Sequence, residues 1–119
     1  MLCALAFTAH LTLLGEKGLR RLASLNHARA CEAADRLAAI PGVSLVNDGF
    51  FNEFTLKLPV EARPAVHALV ERGVLGGVSL GRLYPGVDAL RTGLVVAVTE
   101  TATDEDIAAL EAALKEVVQ

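Results

Sequence analysis

The stretch VVAVTETATDEDIAALEAALKEV, residues 95–117, allows few folds. Leu94 to Thr99 is an almost unbroken apolar run with three valines, a pattern that suits a strand covered on both faces and therefore a central one. Beyond it, Ile107, Leu110, Leu114 and Val117 recur at three- and four-residue steps while Glu105, Glu111 and Glu116 fall elsewhere, so a helix with one buried stripe follows. Thr103 stands where an N-cap belongs, with Asp106 three residues on as a shorter stand-in for the usual Glu. Asp104 and Glu105 set negative charge against the positive end of the helix dipole, and the helix is predicted to begin near Asp104.

Upstream, LCALAFTAHLTLL is apolar nearly all round, interrupted only by Thr8, His10 and Thr12. It predicts a helix whose surface something else must cover. It is too short to cross a bilayer, and no basic segment or small-residue cleavage site marks it as a signal peptide. Gly15 and Gly18 punctuate the chain before a second helix, Leu19 to Ile40, which puts Leu19, Leu22, Ala33, Leu37 and Ile40 near one face and stops at Pro41 and Gly42. The run VSLVNDGFFNEFTLKL reads as two strands forming a hairpin around Asn47-Asp48-Gly49. In its second strand Phe54, Leu56 and Leu58 alternate with Thr55 and Lys57, as where one face is buried and one solvated. A third helix over 60–72 carries Val66, Leu69 and Val70 on its apolar side, tolerates Pro64 only in its first turn, and ends at Gly73. The glycine-rich segment that follows holds at most a short strand near Val78 to Leu80.

The order helix, helix, strand, strand, helix, short strand, strand, helix predicts an α+β fold, a small largely antiparallel sheet with packed helices. One domain spans residues 1–119, divided into N-terminal helices over 1–40 and an α+β unit over 41–119. Hydrophobic residues make up 53% of the chain, and the mean hydropathy of +0.46 is high for so short a sequence, which again asks for a surface to bury against. A net charge of -3 with scattered Lys and Arg excludes the basic stripe of a nucleic-acid binder. Cys3 and Cys31, each in a helical pattern, read as reduced cytoplasmic thiols.

Catalytic equipment is scarce. Among His10, His27 and His67, only His27 has a second potential ligand at helical spacing, Cys31, and two ligands fall short of a zinc site. GVLGGVSLGR lacks the Lys-Ser/Thr of a P-loop and opens no clear helix, so its glycines are read as a tight turn beside the sheet. Lys17, Lys57 and Lys115 lie in a turn, an alternating strand and a terminal helix, none a setting for a desolvated Schiff-base amine. Arg82 and Arg91 are read as exposed arginines paired or solvated at the surface, since no motif sets them apart. No catalytic, cofactor-binding or metal-ligating residue is therefore assigned.

LCALAFTAHLTLLGEKGLRRLA, AAIPGVSLVNDGFFNEFTLKLP, ERGVLGGVSLGRLYPG and LVVAVTETATDEDIAALEAAL occur in that order. Together they resemble the C-terminal region of the glycine cleavage system P protein, more narrowly its glycine dehydrogenase (decarboxylating) subunit 1. The resemblance runs from about Leu2 to Val118. It implies the small domain of a fold-type I pyridoxal phosphate (PLP) enzyme, with a large PLP domain before Met1 in a longer protein and the Schiff-base lysine in a companion subunit. The family's reaction is decarboxylation of glycine on PLP and transfer of the aminomethyl group to the lipoyl arm of H protein. What it implies for this chain is a structural, subunit-contacting part with no cofactor of its own, partnered by the companion subunit and H protein; the apolar N-terminal helix adds the expectation that the isolated chain self-associates. The alternatives are a stand-alone α+β binding or regulatory module without catalysis and an independent PLP-binding enzyme.

Overall fold

The computed structural model describes residues 1–119. Helix α1, Leu2–Ala38, is interrupted at Gly15, whose φ of 59° and ψ of -175° are not helical. That backbone region is open essentially to glycine alone. The predicted punctuation is thus one break, at Gly15, since Gly18 remains helical. After the break α1 buries Ala30, Ala33, Ala34 and Leu37.

Strand β1, Ser44–Leu45, pairs antiparallel with β2, Glu53–Lys57. The predicted hairpin forms, but its connection is a broad loop and not a tight turn at Asn47-Asp48-Gly49. Asn47 Oδ1 accepts the Thr55 N–H at 2.7 Å, and the loop folds back so that Phe50 packs on Phe54 with ring centroids 5.1 Å apart. Packing of the two phenylalanines overrides local turn preference there.

Helix α2, Ala62–Glu71, holds Pro64 in its first turn and ends before Gly73, at φ 76°. Its buried stripe is Ala62, Ala65 and Leu69; Val66 is half-buried and Val70 is exposed, contrary to the sequence reading of the latter. Small alanines let the helix backbone approach the layer beneath, turning Val70 outward. Strand β3, Val78–Ser79, runs directly into the one-turn α3, Leu80–Leu83, and a 3-10 turn, Asp88–Leu90, leads to β4, Gly93–Ala97. Helix α4, Asp104–Val118, closes the fold.

The sheet order is β1-β2-β4-β3, every pair antiparallel, so β4 is central as its composition predicts. The register Phe54↔Val96 and Leu56↔Leu94 puts these side chains on one face, where they meet Leu37, Leu69, Ile107 and Leu114 in a single core. The other face of β4 is not covered: Val95 is half-buried and Ala97 exposed beside Glu53 and Lys57. The expectation of burial on both faces fails because the helices contributing to the core lie on one side, which an antiparallel sheet permits.

Helix α1 is tied to the corner after β4 by polar side chains at near-helical intervals. Asn26 Nδ2 donates to Glu100 Oε2 at 2.7 Å, Arg29 pairs with Asp104, and Arg36 Nη2 lies 2.6 Å from Glu111 Oε2. The α4 cap forms as the sequence predicts. Asp106 N–H donates to Thr103 Oγ1 at 3.1 Å, and Asp106 Oδ2 accepts the Thr103 N–H at 2.9 Å. These bonds hold the Asp106 carboxyl below its ordinary value, the Thr103 backbone donor contributing most and its hydroxyl next. A carboxyl depressed on folding stabilises the fold above its unfolded pKa of 3.8, and that contribution is lost as pH falls through the lower folded value. Thr103→Ala is expected to cost about 1 kcal/mol at neutral pH and to blunt the extra loss of stability below pH 3.8, read from urea melts on both sides of that pH. An unchanged midpoint would mean that packing of the apolar stripe alone sets the helix start.

Candidate functional site

Helix α2 starts without a side-chain cap and with no acidic residue in its first turn. It carries Arg63 there instead, a cation set against the positive end of the dipole. His67 follows four residues on, along the same edge of the helix. Opposite, the direct passage from β3 into α3 leaves Ser79 buried and Arg82 exposed. These elements enclose a recess of about 210 Å³ lined by Arg63, Val66, His67, Gly77, Ser79 and Arg82, with no carboxylate in its wall.

A second recess of about 310 Å³ shares Arg63 and Ser79 and adds Glu61, Tyr84 and Arg91. Here the positive charge is already answered, because Arg91 lies 2.9 Å from Asp88 Oδ1 and 3.5 Å from Glu61 Oε1. The other ion pairs engage Arg20, Arg29, Arg36 and Arg72. Arg21 on α1, and Arg63 and Arg82 at this site, are left with no carboxylate partner. Ser79 is only 3% exposed, and its hydroxyl has no hydrogen-bond partner. Beside α4 a further recess of about 310 Å³ is walled mainly by apolar side chains such as Ala33, Val98, Ile107 and Leu110. Its one acid, Asp106, is committed to the helix cap.

Of the residues singled out from sequence, His27 and Cys31 do meet, with Nε2 3.5 Å from Sγ. The imidazole is otherwise engaged: Nδ1 is 2.8 Å from the Phe51 carbonyl oxygen, and the ring stacks on Phe51 at 6.0 Å. No group of three or more His, Cys, Asp or Glu side chains is arranged to hold a metal. Cys3 and Cys31 are unpaired, Cys3 being exposed near the start of α1. Lys17, Lys57 and Lys115 are exposed on α1, β2 and α4, and none lines a larger recess. PLP needs a lysine turned into a sheltered site to form its Schiff base, so the residues present do not fit that group. Arg91 has the paired surface role expected of it, whereas Arg82 joins Arg63 and Ser79, two residues that sequence reasoning passed over. The available signal for Arg63 was its place in the first turn of a helix, where a cation is unfavourable.

The chain is 71% identical over 114 residues to the "Probable glycine dehydrogenase (decarboxylating) subunit 1" of Rhizorhabdus wittichii, covering 96% of this chain and 25% of that protein. The protein of the same name from Sphingopyxis alaskensis is 68% identical over 116 residues, covering 98% and 26% respectively. A crystal structure of glycine decarboxylase (P-protein) of the glycine cleavage system, in inhibitor-bound form, matches with a TM-score of 0.79 at 36% identity, over 92% of this chain and 24% of that one. No family model matches. The α+β layer described above is thus a portion of the glycine decarboxylase fold. Over the stretch it spans, the chain is similar to proteins named glycine dehydrogenase (decarboxylating) subunit 1. It spans about a quarter of the length of those curated relatives. No helix is long and apolar enough to cross a membrane.

Proposed function

We propose that the chain is the C-terminal, structural and subunit-contacting part of a glycine decarboxylase. The complete enzyme decarboxylates glycine on PLP and passes the aminomethyl group to the lipoyl arm of H protein. The observation that carries this reading is the 71% identity along nearly the whole chain to a protein of which it spans 25%. A piece so related, with no lysine lining a larger recess, supplies surface and support to chemistry held elsewhere. Its partners are then the companion P-protein subunit and, through the assembled enzyme, H protein. The cytoplasm is the compartment, a reading supported by two unpaired cysteines. The domain is a single unit over 1–119 in which the helix before Gly15 serves as a docking arm, and in isolation that arm drives self-association.

The chain alone is expected neither to form a Schiff base with PLP nor to release carbon dioxide from glycine. Absorbance titration with PLP checks this. A saturable Schiff-base band lost in one of Lys17→Ala, Lys57→Ala or Lys115→Ala would overturn the proposal in favour of an independent PLP enzyme.

A further inference from the structure

We propose that the recess between α2 and α3 binds a dianionic oxyanion of the phosphate type through Arg63, Arg82 and the Ser79 hydroxyl. Two arginines from different elements line one small recess, neither has a carboxylate partner, and no acid stands in the wall. Where the neighbouring recess holds Arg91, the same kind of charge is neutralised by Asp88 and Glu61. Arg63 also occupies the helix end that repels a cation and attracts an anion. An anion between Arg63 and Arg82 relieves both conditions at once.

The serine is the independent observation. Ser79 sits opposite Leu94 in the antiparallel pair, so its side chain faces the same way as the fully buried Leu94, toward the layer that contains α2. It lines the recess and is almost wholly withdrawn from water, yet its hydroxyl has no partner. A buried hydroxyl left unsatisfied is unfavourable, and a bound oxyanion accepts its proton. Arginine forks suit phosphate oxygens, and two such groups match two negative charges better than the single charge of a carboxylate. The inference draws only on this recess and stands whether or not the chain works as part of a glycine decarboxylase.

The test titrates the intact chain with inorganic phosphate, a simple phosphate monoester and acetate, following backbone amide shifts by NMR at constant ionic strength. Saturable shifts confined to residues 62–67 and 77–82 are expected with inorganic phosphate. Arg63→Gln and Arg82→Gln should each weaken binding about tenfold, and Ser79→Ala should weaken it without loss of fold. Arg21→Gln removes an arginine that also lacks an ion-pair partner but lies on α1, and should leave binding unchanged. Retained affinity for the monoester assigns the site to phosphate groups on small molecules; its loss confines the site to free phosphate. Should Arg63→Gln fail to fold, Arg82→Gln on the exposed α3 decides the matter. Shifts scattered over the surface, equal affinity in the Arg82→Gln and Ser79→Ala variants, or acetate binding as tightly as phosphate would each overturn the proposal.

Discussion

Gly77→Ala is expected to lower stability by roughly 3 kcal/mol or more and to release β3 from the sheet. Gly77 has φ of 140°, a conformation that side chains rarely adopt, and a Cβ there would fall on the Val95 carbonyl oxygen. Val95 belongs to the central strand, where it pairs with Val78. The obstruction is therefore backbone held in a ladder and cannot swing aside. Gly76 provides the internal comparison. A Cβ at Gly76 would meet Leu69 Cδ1 at 2.6 Å and Leu110 Cδ1 at 2.8 Å, the far ends of flexible side chains. Gly76→Ala is consequently expected to cost less than Gly77→Ala, about 1–2 kcal/mol.

Urea unfolding of the two variants beside the wild type gives the ranking, and hydrogen exchange at Val78 and Ser79 shows where the loss falls. Gly77→Ala should expose those amides even where the rest of the sheet stays protected. Because Ser79 and Arg82 lie immediately beyond this crossing, the variant should also abolish the oxyanion shifts. A Gly77→Ala protein that melts with the wild type would mean that the glycine-rich segment is not seated on β4.

How far this arrangement could be read from the sequence depended on the range of the forces involved. The α4 start was legible because Thr103 and Asp106 satisfy each other within one turn, and the inward face of β2 was legible because alternation of Phe54 and Leu56 is a local pattern. The central place of β4 followed from its apolar run, yet whether a second layer covered it depended on where the distant helices settled. Val70 misled for a similar reason: the helix packs through Ala62 and Ala65, whose contribution is close approach and not a large apolar side chain. The recess was beyond reach, since Arg63 and Ser79 come together only when β3 pairs with β4 and α2 lies over it. The glycine-rich segment does lie beside the sheet, with Gly77 against Val95 of the central strand.

The largest effect on solution behaviour is expected at the other end of the chain, where the helix before Gly15 stands clear of the core. Leu2 is 83% exposed, Leu5 65%, Phe7 64% and Leu13 87%. A sheet covering one side of this helix would still leave the opposite side bare. The structure leaves both sides bare, with Leu11 and Leu14 only half-buried. An apolar strip of this kind is unusual on the surface of an isolated chain. Each Leu or Phe fully hidden there contributes roughly 1.5–3 kcal/mol, so a few side chains suffice to drive association. In the longer enzyme proposed above, the rest of the subunit or the companion subunit would provide the cover; for the chain alone, the available cover is a second copy. Sedimentation of the wild type is expected to show concentration-dependent self-association. Phe7 and Leu13 project from different sides of the helix, so at least one of Phe7→Glu and Leu13→Glu should return the chain to monomer, with far-UV circular dichroism confirming that the helix persists. A wild type that remains monomeric at high concentration with this helix intact, or two variants that associate as it does, would remove the docking-arm proposal and favour a self-sufficient module.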